Sequence, residues 1–161
     1  FAFFATFLQM LLGHMHGCNT AKYQPAKFAA MEGILETKTN VPLIVFGIPN
    51  MEKMEIEYTI GIPNLCSKLV GQKTISGLKY FCKTKWPRVY VVFFAFRIMV
   101  GLGILILLWS IWGLWQIRRK RFGTAFLKTT RMFLGIGIAA TLAGWIVTEC
   151  GRYPCLVYGQ R

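Results

Sequence analysis

Phe93-Phe94-Ala95-Phe96-Arg97-Ile98-Met99-Val100 opens a run that continues as GLGILILLWSIWGLWQI to Ile117. Residues 98–117 are twenty positions without a charge. A helix needs about 20 apolar residues to cross the hydrocarbon core of a bilayer, so this run predicts a spanning helix. Residues 132–148 form a second uncharged run of seventeen, at the lower limit of roughly 17 for a span. Both runs have charge at one edge: Arg97 in the first turns of one, Glu149 and Arg152 just beyond the other. A charge at a membrane edge is costly without a partner. Two such edges in one chain suggest a buried site.

Between the runs lie Arg118-Arg119-Lys120-Arg121, Lys128 and Arg131, with no acid among them. Short loops this basic stay on the cytoplasmic side. The first span therefore enters from outside and the second returns outward. Met99 and Glu149 then lie near the same outer face. The net charge of +13 raises a nucleic-acid reading. The densest basic cluster flanks two spans, where topology explains it, and no nucleic-acid motif is present.

Residues 1–13 are apolar but too few to span. They lack the basic start and small-residue cleavage site of a signal peptide. They read as the outer end of a truncated helix, and the chain as an internal piece of a larger multi-pass protein. The expected fold is all-α. Two full spans, residues 89–117 and 132–150, accompany the partial helix 1–13, a large outer loop 14–88, a basic cytoplasmic loop 118–131 and an outer segment 151–161.

The outer loop carries ten Lys/Arg and five Glu. Residues 26–35 favour helix, with Pro25 acceptable as its first residue. Residues 41–46 are a short apolar run expected to pack on the membrane domain. Residues 51–58 (MEKMEIEY) fit a short helix or an exposed strand. Gly47-Ile48-Pro49-Asn50 recurs as Gly61-Ile62-Pro63-Asn64, each Pro-Asn marking a turn. Of five cysteines, Cys18, Cys66 and Cys82 fall in this loop, where oxidation is possible. No Cys-x-x-Cys spacing exists, which argues against a zinc ribbon. His14 and His16 are a weak metal pair and read better as polar residues at a membrane exit.

Three stretches carry a family resemblance: Gln24 to Gly33 (QPAKFAAMEG), Phe93 to Val100 (FFAFRIMV), and Gly144-Trp145 with Glu149, Gly151-Arg152 and Pro154. The chain resembles the C-terminal half of subunit I of the cytochrome bd-type quinol oxidases. The resemblance runs along nearly all of the sequence. It implies quinol oxidation at the outer face of a bacterial cytoplasmic membrane and reduction of oxygen to water. A low-spin heme b, a high-spin heme b and a heme d would carry the electrons, beside a second membrane subunit. The ligand of heme d and the acids of the proton path would lie outside this chain.

By the same resemblance, Met99 is the axial ligand of the low-spin heme b. A thioether is a soft ligand suited to that role. Arg97 is expected at the same heme. Positions two apart on a helix diverge by about 200°, so Arg97 would have to reach around to a propionate. Glu149 is the expected ligand of the high-spin heme b. Trp145 and Arg152 share its helical face, with Arg152 placed to balance the ligand or a propionate. Where the family has tryptophan after Gly-Arg-x-Pro, this chain has Cys155. Lys27 and Glu32, with Gln24 as a weaker candidate, match the quinol-binding residues. A cation can hold a quinol oxygen and a carboxylate can take its proton. Five residues apart on a helix is about 140°. Either the segment bends or the pocket wraps it. The competing readings are a heme-binding electron carrier or sensor without oxygen chemistry, and a non-heme membrane protein.

Overall fold

The computed structural model describes residues 1–53, 55–82, 86–119 and 123–153. Lys120 and Arg121 of the basic run, and Pro154 and Cys155 of the third motif, lie outside them. Three long helices dominate: α1 (Ala2–Tyr23), α4 (Val89–Arg118) and α5 (Thr124–Arg152). Between α1 and α4 the chain folds α2 (Pro25–Glu32), β1 (Lys38–Thr39), β2 (Leu43–Asn50), β3 (Glu55–Ile62), α3 (Leu65–Val70), β4 (Thr74–Ile75) and a 3-10 turn at Leu78–Tyr80.

The all-α expectation needs correction. The loop contains two small antiparallel sheets, β1–β4 and β2–β3. Residues 41–46 and 51–58 contribute to the two arms of one hairpin, registered from Leu43 opposite Ile62 to Asn50 opposite Glu55. The two Gly-Ile-Pro-Asn copies close these arms. Pro49 and Asn50 end β2 rather than forming the turn itself. The turn follows, with the Asn50 Oδ1 accepting from the amides of Glu52 (3.0 Å) and Lys53 (3.2 Å). This is the local side-chain closure that favours asparagine at turns.

α1 runs on to Tyr23, well past residue 13. α5 begins at Thr124 rather than at 132, and Lys128 and Arg131 lie exposed in its first turns. α4 and α5 are long and apolar enough to cross a membrane, and only 17% and 11% of their most apolar windows are buried. A soluble core helix would bury most of such a surface. Trp109 stacks on Phe126 and Phe133 at centroid distances of 5.2 and 5.1 Å. Near the other end of the pair, the Met99 sulfur packs against Gly144, where an added Cβ would lie 3.0 Å from it.

The core sits where the loop meets the ends of these helices. Phe28, Ala29, Ala30, Ile34, Leu78 and Val92 are buried there. Phe93 is fully buried, a contribution of about 1.5–3 kcal/mol for one such side chain. Pro25 occupies the first turn of α2, where its missing N–H costs nothing. Gly33 ends α2 in the left-handed region at φ 74°, and Ile34 N–H donates to the Ala29 carbonyl at 2.8 Å. A Cβ on Gly33 would lie 2.5 Å from Ile56 Cδ1 and 2.6 Å from Phe93 Cε2. Hairpin, α2 and α4 therefore meet at a point only glycine fits.

Candidate functional site

α2 lies across the ends of α4 and α5, and its two charged residues are buried on different sides. Lys27 is 7% exposed and Glu32 6%. The Lys27 chain lies over Gly151 of α5, where an added Cβ would come within 2.8 Å of Cε. Its neighbours in charge are Arg152 and Glu149. Burial lowers the Lys27 ammonium from its usual range, Arg152 lowers it further, and Glu149 opposes both. Glu32 faces the other way, toward Arg97 of α4 and Cys66 of α3. Burial pushes its carboxyl up to about 7, and the Arg97 cation only partly offsets that. Desolvation disfavours the charged form, so both shifts go toward neutrality. Lys27 and Glu32 thus do not converge on one point. The roughly 140° between them on the helix sends each to a different partner.

Glu32 Oε2 is buried and has no hydrogen-bond partner among the described residues. A buried carboxylate oxygen left unpaired is costly, which marks it as a group available to a ligand. Cys66, 1% exposed, lies beside it. Burial, and then the Glu32 charge, push its thiol up to about 12, so it is an inert neutral thiol. Gln24 is half-buried and acts through its backbone. Its N–H donates to the Thr20 carbonyl at 2.8 Å and its carbonyl accepts from Phe28 at 3.0 Å, joining α1 to α2.

Arg97 is held by backbone carbonyls. Its Nη1 donates to the carbonyls of Met31 (2.9 Å) and Phe93 (3.1 Å), and Nη2 to that of Ile44 (2.8 Å). The outer loop folds over the guanidinium and supplies the acceptors. Its Cζ lies 3.3 Å from the centroid of the Phe93 ring.

Trp145, Glu149 and Arg152 are exposed along one face of α5. Among the described residues Glu149 forms no ion pair. Met99 is half-buried in the α4–α5 contact. A free carboxylate beside an exposed indole, and a thioether lying against a glycine, are a donor set that fits heme irons.

Sequence reasoning missed a cavity of about 490 Å³ between the end of α2 and the hairpin, lined by Gly33, Ile34, Val41, Ile44, Glu55 and Ile56 among others. It also missed Cys66 and the close approach at Gly151. The glycine directly after Glu32 was the available signal for a left-handed cap.

Fold and site together define a helical protein with two helices fit to cross a membrane and a folded loop that buries charge over their ends. A family model described as cytochrome bd terminal oxidase subunit I matches residues 1–161. The chain belongs to that family. A Bacillus subtilis (strain 168) protein described as a cytochrome bd menaquinol oxidase subunit I is 33% identical over 160 residues. That alignment covers 94% of this chain and 35% of the relative. The cytochrome bd ubiquinol oxidase subunit 1 of the same organism is 30% identical over 165 residues, covering 92% and 35%. The solved structure of the bd oxidase from Geobacillus thermodenitrificans superposes with a TM-score of 0.85 at 28% identity. It covers 98% of this chain and 37% of that one. The chain thus spans about a third of the length of these relatives.

Proposed function

We propose that this chain is the quinol-loop and heme-helix portion of a bd-type terminal oxidase subunit I. The parent protein oxidises quinol at the outer face of a bacterial cytoplasmic membrane and reduces oxygen to water, with a second membrane subunit beside it. The observation that carries this reading is the burial of Lys27 and Glu32 on one short helix laid across the two helices that bear Met99 and Glu149.

Quinol oxidation removes two electrons and two protons. Glu32, its carboxyl at about 7 and Oε2 unpartnered among the described residues, is the group to take one hydroxyl proton, and the second is released to water at the outer face. Lys27, on the α5 side of α2, meets a different quinol oxygen from the one at Glu32. Met99 would hold the low-spin heme b and Glu149 the high-spin heme b, and the heme d ligand would lie outside this chain. The hemes, when bound, carry the electrons from quinol to oxygen. Trp145 walls the Glu149 face and Arg152 balances charge beside it.

A reduced-minus-oxidised optical spectrum of the parent protein in membranes, with oxygen uptake on added quinol, tests this reading. Bands of b- and d-type heme with quinol-dependent uptake are expected. Bands of b-type heme alone without uptake would favour an electron carrier, and a flat trace would reject heme altogether.

A further inference from the structure

We propose that Arg97 is a positioning residue: its guanidinium seats the outer loop on α4 and so places Glu32. This rests on the quinol-oxidation reading above. One side chain joins three elements. Nη1 reaches the Met31 carbonyl of α2 at 2.9 Å and the Phe93 carbonyl of its own helix at 3.1 Å, and Nη2 reaches the Ile44 carbonyl of β2 at 2.8 Å. The Met31 carbonyl belongs to the last turn of α2, where carbonyls lack helical partners. The two amides that follow Glu32 both turn back to Ala29, so the cap leaves Met31 to the guanidinium. A cation there also meets the negative end of the helix dipole. Ile44 stands where the β2–β3 register slips before Phe46.

Glu32 follows Met31 directly, so the Met31 bond sets where its carboxyl lies. Both terminal nitrogens of Arg97 are engaged by backbone, and the remaining Nε is buried without a partner among the described residues. Arg97 therefore holds the backbone beside Glu32, while its charge also acts on the carboxyl, and it leaves Glu32 Oε2 open to substrate. The planar fork matters as well as the charge. A lysine ammonium is a compact point charge without the fork or the flat face that lies on Phe93.

The test uses the intact parent oxidase in membranes carrying Arg97→Lys or Arg97→Met. Both variants are expected to raise the KM for quinol about tenfold, the loss of roughly one charged hydrogen bond. Both should also speed trypsin cleavage of the hairpin at the exposed Lys53, while the low-spin heme b spectrum is retained. Wild-type KM and cleavage in Arg97→Lys would overturn the proposal, because charge alone would then suffice. A changed low-spin spectrum with unchanged cleavage would overturn it too, placing Arg97 at the heme. If Arg97→Met fails to assemble, Arg97→Lys decides by itself. If wild-type membranes oxidise no quinol, the functional reading fails while the cleavage comparison still decides the seating role.

Discussion

Replacing Gly33 with alanine tests the junction on which the loop is built. Gly33 has φ 74°, a region that costs a residue with a Cβ about 1–2 kcal/mol. The new methyl would also meet Ile56 Cδ1 at 2.5 Å and Phe93 Cε2 at 2.6 Å. Phe93 is fully buried and cannot swing aside freely, so overpacking adds about 1–3 kcal/mol. A total near 3 kcal/mol raises the locally open population about a hundredfold. The assay is amide hydrogen exchange on the purified parent oxidase, followed in peptides around this junction. Ile34 N–H to Ala29, Leu78 N–H to Ile34 and Lys79 N–H to Leu35 are the reporting bonds. Their exchange should accelerate by about two orders of magnitude, while α4 remains protected. Adding Ile56→Val removes the Cδ1 contact and should recover part of the loss. Unchanged exchange in Gly33→Ala would refute the packing described at this junction.

Met99→Leu keeps volume and apolarity and removes only the sulfur, so packing should change by less than about 1.5 kcal/mol. The low-spin heme b should turn high-spin or be lost, as read in the optical spectrum, and a wild-type spectrum would reject Met99 as a ligand. Glu149→Gln should disturb the high-spin heme b and spare the low-spin one, since the two ligands sit on different helices. Glu32 bears on pH. Its folded carboxyl lies at about 7, above the ordinary 4.5, so the folded loop binds the proton more tightly than the unfolded loop. Its contribution is therefore fully present below 4.5 and lost as pH rises through 7. Exchange protection of the loop, corrected for intrinsic rates, should fall across that window in the wild type and stay flatter in Glu32→Gln; equal slopes would reject the buried placement. Protease added to sealed, right-side-out vesicles should cut the hairpin turn before any span, and cleavage only after lysis would reverse the topology.

Some of this was legible because the physics is local. The runs at 98–117 and 132–148 declare spanning helices by length and apolarity alone, and the helices found there are α4 and α5. Pro25 and the alanine-rich stretch behind it announce α2 one turn at a time. Motif residues such as Met99 and Glu149 were named from chemistry that a single side chain carries.

Other features depended on what came back to meet the chain. Whether residues 51–58 became helix or strand was settled by an apolar partner at 43–50, because strand pairing is a non-local contact with no signature inside one segment. Thr124 to Arg131 carry loop-like charge, yet they are helix, since Phe126 packs between Trp109 and Trp112. The sequence by itself determined that Lys27 and Glu32 diverge on a helix. Only the tertiary structure decided that one lies over Gly151 and the other beside Arg97 and Cys66. It also gave the half-buried Arg97 guanidinium its acceptors, because the returning loop brings the Met31 and Ile44 carbonyls within reach of it.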